Sequence, residues 1–303
     1  MTPLLSICIP TYNRAEYLRG ILENIVTDPS FDERVEVVIS DNASTDNTKA
    51  IGEEYAAGYD NIKYYRNEKN IVDRNFRVVL HHATGKYLKI VNDTLRFQPG
   101  TIELMLNRIM EFPDESEALF FQNSWDEVSA GTEAVASDNI SFVNYVSFYV
   151  GWIGGFGLWR SDIECIDVPE KYYDLKFPQI AWSFEVVKKH RYSRIYFGDL
   201  FTICSLNKKG SYNFFKVQLC NLLEIFSDYG IKGKAYRREK RRIYEHHLKY
   251  MLREYLIEKQ ETNFDLTGAW QILFRNYWNK PYFYWSFVAP ALRRVKMRVC
   301  PKK

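Results

Sequence analysis

Four short segments of this 303-residue sequence hold the side chains best suited to chemistry. They are Pro10-Thr11-Tyr12-Asn13-Arg14, Ser40-Asp41-Asn42, Arg66-Asn67 with Asn70 and Arg74 close behind, and Asn92-Asp93-Thr94. Together they offer an aromatic ring, two lone carboxylates, several amides and an arginine. That inventory suits a nucleotide. Tyr12 can stack on a base, and Asp41 can accept from a base imide or a ribose hydroxyl. Arg74 can meet a phosphate, and Asp93 can hold a divalent cation bridging a diphosphate. Taken singly, each residue has an ordinary structural reading, since an Asp after a strand serves turns and caps. Their recurrence at one place in four successive units gives the pattern its weight.

That place is the end of a buried strand. Residues 4–9 read as a strand ended by Pro10, and 35–39, 62–65 and 87–91 read as three more. Helices are expected between them over 14–27, with Tyr17, Leu18, Ile21, Leu22 and Ile25 on one face, over 46–57 with Ser44 or Thr45 as cap, and over 71–83. This alternation predicts an α/β fold with a parallel, doubly wound sheet, whose ligands bind beyond the carboxyl ends of its strands. Further helices are expected over 99–111 and 178–190, and strands over 118–122, 156–160 and 194–197. From residue 213 the pattern is helical, with no strand after 206. The reading therefore divides the chain into residues 1–210 and a helical region, 211–303.

Composition fits this outline. Apolar residues at 46% and charged residues at 26% supply a globular core and exclude wholesale disorder. Five cysteines without a CxxC spacing read as reduced thiols rather than a disulfide framework or a zinc site. The first apolar run, Leu4 to Pro10, is too short and lacks the basic flank of a secretory signal. Residues 139–159 carry no charge, but Asn139, Asn144 and four glycines speak against a membrane span. The adjacent pairs His81-His82 and His246-His247 do not share a helix face and are expected at helix surfaces.

The net charge of +3 conceals an asymmetry: residues 231–303 carry 18 Lys/Arg against 6 Asp/Glu. Seven of those cations fall within 232–242, and aromatics from Trp270 to Phe287 are interleaved with Arg275 and Lys280. Aromatics beside cations are the composition of an interfacial membrane element, so an anionic membrane surface is the expected partner. The front of the chain gives no support to nucleic acid. A plain helical bundle, or an oligomer contact, is the alternative role for the tail.

The early motifs resemble a known family. Leu5-Ser6-Ile7-Cys8-Ile9-Pro10-Thr11-Tyr12-Asn13-Arg14 is similar to the opening of family 2 glycosyltransferases, and Val37 to Asp46 to their D-(D/N)-x-S-x-D signature. Asn67-Glu68-Lys69-Asn70 with Arg74-Asn75, and Ala83-Thr84-Gly85-Lys86-Tyr87, resemble the third and fourth motifs. The likeness is strong over residues 4–97, weaker to about 205, and ends there. It implies a GT-A nucleotide-binding sandwich with a mostly parallel sheet, followed here by a helical extension. It also implies sugar transfer with inversion. Pro10, Tyr12 and Asp41 would line the base and ribose pocket, Arg74 would lie near the phosphates, and Asn70 and Asn92 would join the donor site. The family's acidic metal motif falls on Val91-Asn92-Asp93-Thr94, which places Mg²⁺ or Mn²⁺ on Asp93.

Two departures from the family are visible. Members often carry two or three acidic residues at the metal motif, and here Asp93 stands alone. Inverting members place an Asp, often as Glu-Asp, near residues 177–180 as general base, but this chain reads Asp174-Leu175-Lys176-Phe177-Pro178-Gln179-Ile180. Gln179 cannot take a proton, so Asp174 is the preferred base and Glu185 the other nearby carboxylate. The Phe-Pro-Gln variant resembles abequosyltransferases of O-antigen synthesis. Gly151 to Gly157 falls where the family has a glycine-rich acceptor loop, and Trp152 offers a flat face to a pyranose; a packed turn with a core Trp is the equal alternative. The resulting expectation is transfer from a nucleotide sugar to a glycan or polyprenol-linked acceptor, in the cytoplasm at the inner face of a bacterial membrane. A non-catalytic nucleotide-sugar binding module is the rival, and a nucleotidyltransferase ranks below it, since its phosphate loop is missing.

Overall fold

The computed structural model describes residues 2–204 and 212–287. The chain opens with β1 (Leu5–Thr11), α1 (Ala15–Val26), β2 (Val35–Asp41), α2 (Thr48–Gly58), β3 (Ile62–Arg66), α3 (Asn75–His82) and β4 (Tyr87–Ile90). The short β5 (Leu95–Phe97), α4 (Thr101–Glu111), β6 (Ala118–Asn123), β7 (Glu133–Ala136) and α5 (Asn139–Val146) follow. Then come β8 (Gly157–Trp159), α6 (Lys171–Asp174), α7 (Pro178–Lys189), β9 (Ser193–Gly198) and β10 (Phe201–Ile203). The main sheet has the order β3-β2-β1-β4-β8, parallel except for the last strand, which runs against β4. Two smaller sheets, β6-β9-β7 and β10-β5, complete the α/β frame.

Strand alternation divides the interior into two apolar layers. Leu5, Ile7, Ile9, Val37 and Ile39 pack with α1, α2 and α4, while Cys8, Val38, Leu88 and Ile90 pack with α3, α5 and α7. Pro10 does not end β1, which continues to Thr11. The β4 ladder stops at the Ile90–Cys8 pair and the Val91 N–H to Cys8 carbonyl bond, so the missing N–H of Pro10 has no ladder partner to lose. The uncharged stretch 139–159 is divided among α5, tight turns and β8. Among the described residues no helix is long and apolar enough to cross a membrane.

After residue 212 the described residues form helices joined by turns and loops, with one isolated bridge, Asn213 to Asp265, and no strand. It forms α8 (Leu222–Asp228), α9 (Gly233–Ile243), α10 (Lys249–Met251) and α11 (Ala269–Tyr277), joined in part by wide helical turns at Lys216–Asn221, Tyr244–Leu248 and Leu252–Ile257. Residues 281–287 are helical too. Phe215, Phe226, Tyr244, Leu273 and Phe283 extend the same apolar layer that holds α5 and α7. Glu239 of α9 is fully buried there, accepting from the Ser147 hydroxyl at 2.6 Å, Arg238 Nε at 2.7 Å and Arg242 at 3.1 Å.

The expectation that all four paired histidines are surface residues fails at His247. It lies half-buried between Phe148 and Phe214, and burial lowers its imidazole to about 4. His82 stacks on Tyr65, and His246 meets Asp126 and Glu127.

Candidate active site

The carboxyl ends of β1, β2 and β4 open on a cleft of ≈ 230 Å³. Its lining includes Pro10 near the end of β1, Tyr12 and Arg14 just beyond it, Asn42 after β2, Asn70 and Asp73 after β3, and Asn92 after β4. Four sequence candidates, Pro10, Tyr12, Asn70 and Asn92, therefore share one wall. Tyr12 is 41% exposed, with a ring face available for stacking.

The signature loops hold one another in place. Ser44 Oγ accepts from the Asn13 N–H at 2.8 Å, and Asn13 Oδ1 accepts from the Thr45 N–H at 2.7 Å. Neither Ser44 nor Thr45 caps α2. Asp46 does that work, taking the Thr48 N–H at 3.0 Å and the Ala15 N–H of α1 at 3.1 Å. Asn42 donates to Asn70 Oδ1 at 2.8 Å and accepts from the Ile71 N–H at 2.9 Å, which fastens the loop after β3 to the end of β2. In that loop Val72 has φ +53°, a left-handed conformation costly for a β-branched residue, secured by its N–H bond to Asn70 Oδ1.

Asp41 does not line the cleft. Its carboxylate is fully buried and accepts from the Ser44 N–H at 2.9 Å, the Tyr64 hydroxyl at 2.7 Å and Arg66 at 3.3 Å. Burial, reinforced by the carboxylate, raises the Tyr64 phenol well above its ordinary range, so it stays a donor.

Asp93 is fully buried as well. One oxygen accepts from Thr11 Oγ1 at 2.8 Å and the other from Arg14 at 3.0 Å. Burial raises this carboxyl, while Arg14 and Thr11 pull it back. Arg96 braces the same turn through the Asp93 and Leu95 carbonyls. A divalent ion needs several oxygen ligands and an open carboxylate. Asp93 has no exposed face, both of its oxygens are taken by Thr11 and Arg14, and no group of three His, Cys, Asp or Glu suited to a metal occurs among the described residues. The donor set does not fit the ion expected on it.

Arg74 sits at the rim, half-exposed, paired with Glu170 and lying over the Tyr173 ring. The Lys176 to Asp73 contact at 3.5 Å draws the segment after α6 to the same rim. Asp174, at the end of α6, is exposed beside this segment but outside the cleft lining. Gln179 is buried and donates to the Gly151 carbonyl at 2.6 Å. Glu185 faces Lys188 at 3.1 Å and Tyr229, away from the cleft. Trp152 packs edge-on against Phe201 and against Gly154, where a Cβ would come within 2.5 Å of the indole. The buried Lys89 ammonium binds the Gly154 and Phe156 carbonyls, fixing the glycine-rich turn. Burial holds this lysine well below its ordinary range.

Sequence reasoning gave no site role to Thr11, Arg14 or Asp73. Their only signal is position: Thr11 and Arg14 lie in the segment at the end of β1, and Asp73 in the loop after β3.

Comparison with known proteins agrees with this geometry. Residues 6–123 match the family described as Glycosyl transferase family 2. Over 86 residues the chain is 44% identical to the abequosyltransferase RfbV of Salmonella typhimurium, covering 28% of this chain and 26% of that protein. Over 111 residues it is 27% identical to a GalNAc(5)-diNAcBac-PP-undecaprenol beta-1,3-glucosyltransferase of Campylobacter jejuni, covering 36% of this chain and 35% of the other. The chain thus spans between a quarter and about a third of these two relatives in alignment. Staphylococcus aureus TarS 1-349 in complex with UDP superposes with a TM-score of 0.60 at 16% identity, covering 94% of this chain and 87% of that one. A mannosyltransferase of Pyrobaculum calidifontis in complex with GDP-Man and Mn²⁺ gives 0.56 at 17% identity, over 100% and 89%. These structures share the GT-A fold. Its strand-end motifs and the sheet that carries them thus match the family 2 glycosyltransferases over residues 6–123.

Proposed function

We propose that the protein transfers a sugar from a nucleotide-sugar donor to a hydroxyl of a glycan acceptor in bacterial surface polysaccharide synthesis, with inversion at the anomeric carbon. The observation that carries the reading is the single cleft in which Pro10, Tyr12, Arg14, Asn42, Asn70 and Asn92 converge from three strand ends and the loop after β3. Tyr12 stacks on the base, the amides fix ribose and phosphate, and Arg74 meets the diphosphate from the rim. Asp41 acts at one remove, shaping the loop that forms the pocket floor. The acceptor hydroxyl approaches from the α6 side, where Asp174 takes its proton as it attacks the anomeric carbon. Asp73 is a second reading for the base, favoured because it lines the cleft. The activity of the relatives named above, one of them on an undecaprenol-linked glycan, supports a lipid-linked acceptor. Residues 1–210 would hold both substrates, and 211–303 would face the membrane.

The test is release of nucleoside diphosphate from a panel of UDP, GDP, CDP and dTDP sugars by the purified chain, with and without Mn²⁺. One donor should be hydrolysed well above the others. Tight binding of a donor without turnover, in the presence of a lipid-linked glycan extract, would instead favour a non-catalytic binding module.

A further inference from the structure

We propose that Arg14 supplies, from the protein itself, the positive charge at the donor diphosphate that Asp93 would otherwise recruit as a divalent cation. The inference rests on the donor-site reading above and adds how that site handles charge. Arg14 stands between β1 and α1, on the turn fixed by the Asn13–Ser44 and Asn13–Thr45 bonds, and its own N–H is held by Thr48 Oγ1 at 3.2 Å. Its guanidinium reaches across to Asp93 at 3.0 Å and lines the cleft, with its side chain 41% exposed. Asp93, by contrast, has no exposed surface, and its second oxygen is spent on Thr11. What Asp93 presents to the cleft is therefore a guanidinium.

A guanidinium has five N–H donors in a fixed fork, and the Asp93 contact uses one. The rest can meet phosphate oxygens while the buried carboxylate keeps the group aimed. When the bond between the anomeric carbon and the diphosphate oxygen breaks, the electron pair and the developing charge remain on that oxygen, where a prepositioned cation stabilises them. Besides Arg74 at the rim, two other arginines near the sheet edge are less suited. Arg66 is committed to Asp41 and the Ser44 carbonyl, and Arg96 to the carbonyls of Asp93 and Leu95. A metal entering here would have to displace Arg14 from its ion pair and still find further oxygen ligands. Asp46, the other acidic residue of the signature loops near Arg14, is occupied by the Ala15 and Thr48 N–H groups.

The test is calorimetric binding of UDP, GDP, CDP and dTDP to the full chain, in EDTA and in Mn²⁺. The tightest diphosphate should bind with a Kd equal within about twofold in the two conditions. Arg14→Ala should weaken it by roughly 10- to 100-fold in both, the loss expected for a charged hydrogen bond, with partial recovery in Arg14→Lys. Thermal unfolding checks that the variants are folded; if Arg14→Ala is not, Arg14→Lys and the EDTA comparison carry the test. Binding that vanishes in EDTA and returns with Mn²⁺, or an Arg14→Ala variant that binds as well as wild type, overturns the inference and leaves the donor-site reading intact. No binding of any diphosphate in either condition overturns both.

Discussion

Asp41 receives three donors and has no exposed surface, so its charge belongs to the loop before it belongs to any ligand. Replacing it with Asn keeps one acceptor oxygen but turns an amide N–H₂ toward donors. We expect Asp41→Asn to lose about 1–3 kcal/mol of stability, visible in thermal unfolding, because the half-buried Tyr64 hydroxyl and the solvent-facing Arg66 lose their buried carboxylate. Donor binding should fall with it. An Asp41→Asn protein that melts like wild type yet binds no donor would show that the carboxylate touches the ligand directly. Asp174 is the opposite case, an exposed carboxylate with little to lose on folding. Asp174→Asn should lower kcat by on the order of 10²-fold with donor KM unchanged, as removal of a general base does. If Asp174→Asn turns over normally while Asp73→Asn is dead, the base is the cleft residue instead. Residue types at the strand ends were readable because periodicity locates the ends. Which of them faces the ligand was not, since Asp41 and Asp93 are claimed by Tyr64, Arg66, Thr11 and Arg14, partners supplied by other strands and loops.

At the scale of elements, the first four strands and three helices were legible because each buries a run of apolar residues with the proper period. The strands that escaped, β5, β7 and β10, have three or four residues each, too few for a period to show. Two of them pair only with each other, residue 97 against residue 201, a contact that no local pattern announces. The C-terminal helices illustrate the same limit. Their apolar faces predicted helix but not that Glu239 would be driven into the core to meet Ser147, or that His247 would be pressed between two phenylalanines. His247 gives these helices a pH response. In the unfolded chain the imidazole binds a proton below its ordinary 6.5, but in the folded protein only below about 4. The unfolded state therefore gains protons first as the pH falls. Stability should drop progressively between those two values, by up to about 3 kcal/mol. His190 acts in the other direction: burial opposes its charge, but the Asp162 bond at 2.7 Å outweighs it and raises the imidazole. Its contribution is fully present below 6.5 and fades only as the pH rises through the raised value. Comparing His247→Phe with wild type isolates the first effect. The variant's Tm relative to wild type should rise as pH is lowered from 7.5 to 4.5, and a pH-independent difference would remove His247 from the account.

For the whole molecule, the basic tail is less bare than its composition suggests. Arg238 and Arg242 are tied to Glu239, Arg242 also to Glu127, and Arg241 to Glu245. Lys240 lies over the Tyr277 ring, half-buried. Arg242 thus fastens α9 to the body of the protein through Glu127 and the Asn144 carbonyl, while Lys232, Lys234, Arg237 and Arg241 stay exposed. The aromatic content divides likewise: Tyr244, Tyr277 and Phe283 are core, whereas Trp270 and Phe274 of α11 and Trp278 at its C-terminal cap follow at i, i+4 spacing, with Trp278 64% exposed and Trp285 of the next helical segment 60% exposed. Indole rings exposed on one helix face beside Arg275 and Lys280 match the requirements of the headgroup region, where an apolar body and a polar edge are both satisfied. The expected attachment is peripheral. It should sum a modest electrostatic part, about 1 kcal/mol for each Lys or Arg close to an anionic surface, and a part from the inserted rings. These two parts can be separated with the full-length chain in a vesicle sedimentation assay. Binding to vesicles rich in phosphatidylglycerol should exceed binding to phosphatidylcholine, and should weaken as salt shortens the screening length from about 10 Å at 0.1 M. Trp278→Ala with Trp285→Ala should reduce binding at every salt concentration, because ring burial is not screened. Lys232→Gln with Lys234→Gln should reduce it mainly at low salt. If both double variants bind as wild type does, or neither vesicle type binds the protein at all, the exposed rings of α11 serve a protein contact rather than a membrane.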